Sequence, residues 1–354
     1  MYRPFLRAVL LTQGLLLFAA TSHAQYSLDL PRASTQARVM QRVGLTQITI
    51  NYSRPSVKGR RIWGGLEAYG KVWRAGADEN TTFEVSDPVN VEGKPLAKGV
   101  YGLHMIPGES EWTVIFSKNS TSWGSYTYDP AEDALRVSVK PQPAENHEEL
   151  TYDFVKLTPE STTVTLFWEK IAVPFKVDVK VNEFVQQSLR NQLRNSPKWT
   201  WEGWNQAANY LLSHKLALDD ALRYSDESIQ VEERFENLMT KARVLDALEK
   251  KDQASAIRKQ AIGIGGAQQL HYYGRQLQSE GHQDQAFEIF RTNIKKNPNH
   301  WLVHSEIARL DCAQSRFDDA VKEMKLAAAG APAQAKPTME GLVKRLQAKE
   351  DINK

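Results

Sequence analysis

The sequence predicts two folded parts in series, an all-β sandwich or open barrel and then an all-α array of repeated helical hairpins. Three observations carry this reading. Apolar residues alternate with a period of two from about Ser34 to Val181, the period turns helical after Asn182, and the helical stretch repeats itself at intervals of 34, 32 and 34 residues. A chain of 354 residues also exceeds one ordinary domain of roughly 150 residues.

The N-terminus reads as a secretory signal. Arg3 and Arg7 precede the apolar runs Ala8–Leu11 and Leu15–Ala20, and the small-residue site Ser22-His23-Ala24 follows. Residues 1–24 are expected to be removed, which implies a periplasmic or secreted protein. An uncleaved anchor is disfavoured, because Thr12, Gln13 and Gly14 interrupt a run already short of the roughly 20 residues a spanning helix needs. No cysteine follows the run to take a lipid, and no later stretch is apolar enough to span, so no integral membrane segment is expected after cleavage. Loss of Arg3 and Arg7 leaves 43 basic against 42 acidic residues. That balance gives no electrostatic case for nucleic acid or an anionic membrane surface. Cys312 is the only cysteine, so an internal disulfide is excluded, and its helical surroundings read as a small buried residue.

Residues 25–181 read as the β part. Ile48, Ile50 and Tyr52 alternate with Gln47, Thr49 and Asn51, and Leu135, Val137 and Val139 with Arg136, Ser138 and Lys140, the pattern of half-buried strands. The turn cluster Ile106-Pro107-Gly108-Glu109-Ser110 joins Tyr101–Ile106 to Glu111–Ser117 as a hairpin. Thr162–Trp168 and Val173–Val181 are expected as two further strands, the second opening near Pro174, where a missing N–H is tolerated.

Residues 182–200 read as a linker or first helix, and 201–347 as the repeats. Leu270, Tyr273-Gly274, Leu277, Gly281, Ala286 and Phe290, closed by Pro298, recur 34 residues on as His304, Ile307-Ala308, Asp311, Ser315, Ala320 and Met324, closed by Pro332. The template also fits Leu238, Ala242, Leu245, Ala254 and Ala261, and more loosely Trp204, Ala207-Ala208, Leu211 and Ala221, giving starts near Trp201, Phe235, Ala267 and Trp301. Small residues at fixed places let antiparallel helices approach, while large ones fill the groove between hairpins. The pattern resembles the tetratricopeptide repeat, with Lys241 and Asp311 standing where an apolar or aromatic residue is usual. The fold class is therefore an all-β sandwich or open barrel followed by an all-α tetratricopeptide-like solenoid. A protein or peptide partner is expected to meet residues 201–347.

The β part carries a distinctive series: Ser53-Arg54-Pro55-Ser56-Val57-Lys58-Gly59-Arg60, Trp63-Gly64, Tyr69 to Thr82, Gly99-Val100-Tyr101-Gly102-Leu103, Trp112-Thr113-Val114-Ile115 and Trp123-Gly124-Ser125-Tyr126. These residues closely resemble the family called domain of unknown function 2911, over about residues 35–180. The resemblance implies a β fold in an exported bacterial protein. It carries no activity, substrate or catalytic residue.

Arg54, Arg60 and Arg74 lie near Gly-rich turns beside Trp73, Asp78, Trp123 and Tyr126. Guanidinium forks bind oxyanions and indole faces stack on rings, so these seven form the candidate ligand-binding set for a carboxylate, phosphate or sugar, by binding or hydrolysis. The structural alternative has the tryptophans in the core and the arginines tied to acidic residues or backbone carbonyls that hold long loops. His104 reads as a satisfied, partly buried imidazole. His300 and His304 sit four apart on one helical face, but lack the intervening acid and third ligand of a zinc site. Gly263, Gly265 and Gly266 have no preceding strand and no following Lys-Ser/Thr, and read as a helix stop. No catalytic residue, metal ligand or cofactor is assigned. The expectation is a non-enzymatic binding or assembly protein acting through its helical repeats, with the small-ligand site as the alternative.

Overall fold

The computed structural model describes residues 30–353, so the signal sequence read in residues 1–24 lies outside the described residues. The chain divides into two compact units between Val179 and Lys180.

In the first unit the alternating segments form β1 (Thr35–Val43), β2 (Thr46–Arg54), β3 (Thr82–Val85), β4 (Val89–Val91), β5 (Lys94–Leu96), β6 (Gly99–Ile106), β7 (Trp112–Ser117), β8 (Asp133–Val139), β9 (Gln142–Val155) and β10 (Ser161–Val179). A six-stranded sheet runs β1-β2-β3-β6-β7-β8 and a four-stranded sheet β5-β4-β10-β9, with antiparallel pairing throughout. Neither sheet closes on itself. Of the two architectures expected, the unit takes the sandwich and forms no closed barrel.

The core lies between the sheets. Phe175 of β10 meets Phe83 and Phe116 of the larger sheet at 6.0 and 5.9 Å between ring centroids. Tyr152 of β9 meets Tyr52 of β2 edge-on at 4.9 Å. The hairpin expected at 101–117 is present as β6 and β7, with Met105 opposite Val114.

Two strand expectations are corrected. β2 is not half-buried: Ile48, Ile50 and Tyr52 face the core, yet Thr49 and Ser53 on the opposite face are also only 3% exposed. Gly76 of the loop of residues 55–81 runs beside Ser53, where an added Cβ would lie 3.3 Å from the Ser53 carbonyl oxygen. The strands expected at 162–168 and 173–181 are one strand, β10, bent by register shifts on both sides of Glu169, which has φ 54°. Pro174 falls between its pairing with β9, ending at Ala172, and its pairing with β4, beginning at Val177. A missing N–H costs no ladder bond there.

The second unit contains α1 (Val181–Gln192), α2 (Trp201–Ser213), α3 (Leu218–Val231), α4 (Phe235–Ala247), α5 (Lys251–Ile264), α6 (Ala267–Ser279), α7 (Gln283–Lys296), α8 (Trp301–Ala313), α9 (Phe317–Gly330) and α10 (Lys336–Gln347). α2–α3, α4–α5, α6–α7 and α8–α9 are the four hairpins, and their first helices start at Trp201, Phe235, Ala267 and Trp301, the four starts read from the repeat. Ala208, Ala242 and Ala308 in the first helices, and Ala221, Ala254, Ala286 and Ala320 in the second, have no exposed surface. In the third hairpin the first of these places holds Gly274, where a Cβ would stand 2.3 Å from the Phe290 ring. α5 stops at Ile264, and the Lys296 ammonium bonds the carbonyls of Ile262, Gly263 and Gly265 at 3.0, 2.6 and 3.0 Å. A cation there also answers the negative end of the helix dipole.

Candidate functional site

Two loops of the β unit build a cavity of about 410 Å³. The first, residues 55–81, is far longer than the roughly 12–15 residues beyond which structureless connections are uncommon and usually functional. Trp73 anchors it by exchanging backbone bonds with Met105 of β6, both at 2.8 Å, which extends the sheet beyond the short β3. The second loop, residues 118–129, is tied to the first through Asn80, whose backbone N–H donates to the Ser122 carbonyl at 3.2 Å and whose side-chain amide donates to the Asn119 carbonyl at 3.1 Å.

Arg60, Arg74, Asp78, Trp123 and Tyr126 of the expected set line this cavity, together with Lys58, Glu67 and Trp168. Arg74 donates to the Asp78 carbonyl at 2.6 Å, and its guanidinium stacks over the Tyr126 ring at 5.6 Å. Gly124, at φ 68°, lies flat against it, since a Cβ there would meet Arg74 Nη1 at 2.8 Å. Arg60 donates to the carbonyls of Val57 and Ser56. Backbone carbonyls thus hold these arginines, as the structural alternative expected, while no carboxylate pairs with either guanidinium among the described residues.

Arg54 and Trp73 are placed elsewhere. Arg54 reaches across to β9, donating to the Leu150 carbonyl at 3.0 Å and the Thr151 hydroxyl at 2.9 Å, with Glu149 at 3.3 Å as its ion-pair partner. Trp73 is buried, bonds the Gly76 carbonyl at 3.1 Å, and packs against both Trp63 and Trp168, each 5.7 Å away. Both are structural residues beneath and beside the cavity.

Sequence reasoning missed Glu67 and Trp168. Burial pushes the Glu67 carboxyl up to about 7, against the opposing pull of Arg74 and Arg60. Trp168 is fully buried and its indole N–H has no acceptor among the described residues. No local signal marks either one, because Glu67 lies in an ordinary turn and Trp168 in an alternating strand.

His104 is buried, with Nδ1 2.9 Å from the Ser125 hydroxyl, and burial pushes it down to about 4 despite the nearby Asp133 carboxylate. It is neutral and satisfied at neutral pH, as expected. His300 caps α8, accepting from the Leu302 N–H at 3.2 Å, and His304 meets Glu323 at 2.7 Å, so each has its own partner.

The helical unit has a larger groove of about 780 Å³ between its second and third hairpins. Phe235 and Met239 of α4 and Tyr272, Tyr273 and Leu277 of α6 give it an apolar strip. Arg243, Gln269, Gln276, His282 and Gln285 border the strip. Tyr272 is 60% exposed, while Tyr273 packs edge-on against Phe235 at 6.3 Å. Asp246 at the rim is neutralised by Lys251 and Arg258.

The fold and these two concavities define the class: a two-sheet β domain with an arginine-walled cavity, followed in the chain by tetratricopeptide-like helices. Residues 34–177 match the family described as Protein of unknown function (DUF2911), and the β unit is a domain of that family. Among solved structures, YrrB, described as a TPR protein with an unusual peptide-binding site, aligns at 14% identity and a TM-score of 0.28, covering 47% of this chain and 86% of its own. The repeat character of the helices rests on their hairpins and small-residue register. No curated protein matches the chain.

Proposed function

We propose that this is an exported binding protein whose helical repeats hold an extended peptide or protein segment in the groove between α4 and α6. The single observation behind this is the exposed Tyr272 on an apolar strip whose border carries amide, guanidinium and carboxylate side chains. Met239, Tyr272 and Tyr273 offer purchase for an apolar side chain, and the Gln285 amide offers a donor and an acceptor to a peptide backbone, beside Gln276 and Arg243, which already donate to Glu280 and Asn209. Exposed aromatics of this kind anchor protein contacts with little conformational entropy to lose.

A photo-crosslinking residue in place of Tyr272, in the full chain within producing cells, is expected to give a discrete adduct. The same residue at exposed Lys322 serves as the comparison. Tyr272→Ala should weaken retention of the captured partner at least tenfold while leaving the circular dichroism spectrum unchanged. Absence of a Tyr272-specific adduct would sink this reading.

Export is supported by the Arg3, Arg7 and apolar-run pattern with its Ala24 site. N-terminal sequencing of the protein from an envelope fraction is expected to begin at Gln25. A chain starting at Met1 in the cytoplasmic fraction would remove that part of the proposal.

A further inference from the structure

We propose that the β-unit cavity is a binding site for a sugar-sized ligand carrying an oxyanion, its charged group held by Arg74 and Arg60 and its ring stacked on Trp123 and Tyr126. The site is distinct from the helical groove, and the two proposals stand or fall separately.

Charge argues first. Lys58, Arg60 and Arg74 line the cavity against Asp78 and Glu67, leaving an excess of positive charge. Arg74 is half-buried, and only one of its five N–H donors has a protein acceptor among the described residues. A guanidinium kept partly out of water without a carboxylate partner has lost hydration that a bound oxyanion would replace through a bidentate pair. Gly124 and the Asp78 carbonyl hold its plane in place, so little side-chain freedom remains to be lost on binding.

The rim argues next. Trp123 and Tyr126 are 56% and 81% exposed, although both belong to a loop pinned to the cavity wall. Large aromatic faces at the mouth of a polar concavity suit the apolar face of a pyranose ring, whose hydroxyls then meet the polar walls. The volume of about 410 Å³ admits a monosaccharide or a disaccharide and excludes a folded partner. Lys58 and Asp78 also take positive φ values of 49° and 58°. Such backbone costs concentrate where surrounding structure holds a site in shape.

The experiment titrates the full chain with glucuronate, galacturonate and glucose 6-phosphate, using glucose, acetate and inorganic phosphate as controls, and reads tryptophan fluorescence and the thermal midpoint. A saturable response is expected to at least one acidic sugar, at least tenfold tighter than to glucose or to the simple anions. The uronate and phosphate arms decide whether the oxyanion is a carboxylate or a phosphate. Arg74→Ala is expected to weaken that response at least tenfold. Because Arg74 also holds the Asp78 carbonyl, Trp123→Ala, which removes a mostly exposed ring, is the second variant and should weaken binding with an unchanged midpoint for the free protein. No response to any acidic sugar, or an equal response to glucose, overturns the proposal. So does undiminished binding in both variants.

Discussion

Phe290→Ala is expected to destabilise the helical unit by about 3–5 kcal/mol in urea unfolding followed by circular dichroism, the usual cost of emptying a fully buried aromatic site. The contact with Gly274 turns this into a test of geometry. The Phe290 ring occupies the place where a side chain at 274 would begin, with Cε1 2.3 Å and Cδ1 2.8 Å from an ideal Cβ. Gly274→Ala in the parent therefore meets two opposed effects. Replacing glycine inside a helix contributes about 0.8–1.0 kcal/mol of stability, whereas forcing a methyl into a packed core costs about 1–3 kcal/mol. Overpacking wins, and the single variant is destabilised. In the Phe290→Ala background the ring is gone, so the same Gly274→Ala change should stabilise by about 1 kcal/mol. This reversal of sign is a coupling that independent sites would not show. Additive effects in the four-variant cycle would refute the contact.

The second large effect is a pH dependence centred on Glu306. This α8 carboxyl has no exposed surface. Oε1 accepts from the Asn293 amide at 2.7 Å and lies 3.0 Å from His271 Nδ1, while Oε2 has no hydrogen-bond partner among the described residues. Burial pushes Glu306 from 4.5 up to about 8, against the Asn293 hydrogen bond and the Arg309 charge. Burial pushes His271 from 6.5 down to about 3, reinforced by Arg309, Arg275 and His300. The signs of the two contributions differ. Between pH 4.5 and 8 the folded chain holds a proton on Glu306 that the unfolded chain releases, so stability falls as pH rises through that window. Between pH 3 and 6.5 the unfolded chain binds a proton on His271 that the folded chain refuses, so stability rises with pH there. For this pair in the helical unit the two slopes oppose each other from pH 4.5 to 6.5, and from 6.5 to 8 the fall from Glu306 continues without that opposition, amounting to about 2 kcal/mol.

Glu306→Gln keeps a neutral side chain of the same shape. It is expected to remove the fall above pH 6.5 and to uncover the rise due to His271 between 4.5 and 6.5. Denaturation midpoints across this range in the parent and the variant check the prediction. A parallel decline in both would assign the pH dependence to other groups. Glu306→Ala, which takes a buried polar partner from the Asn293 amide and from His271 Nδ1, should instead lower stability at every pH.

The helical unit was the more legible half of the chain. Ala208, Ala242, Gly274 and Ala308 are spaced by the repeat itself, and a small residue at a helix contact is a local requirement imposed once per hairpin. Four helix starts could therefore be read to the residue. The β unit was legible where strands alternate and less so where the fold covers both faces. Thr49 and Ser53 look like solvent-facing residues of an amphipathic strand, and nothing near them in the sequence announces that both will be buried. The break expected between Trp168 and Val173 is a pair of register shifts inside one strand, which the apolar pattern alone cannot distinguish from two strands.

The sequence by itself determined the order of the two folds, the register of the helical repeats and the group of arginines and aromatics from which a site had to come. Only the tertiary structure decided which of those residues share a cavity. Arg54, Arg60 and Arg74 carry the same guanidinium near similar turns. Arg54 is drawn to Leu150 and Thr151, nearly a hundred residues away, while Arg60 and Arg74, held by nearby backbone carbonyls, line the cavity. Glu67 shares that cavity, and burial raises its carboxyl against the pull of Arg74 and Arg60. Partner choice and desolvation depend on distances between segments remote in sequence, and periodicity encodes only what neighbouring residues do.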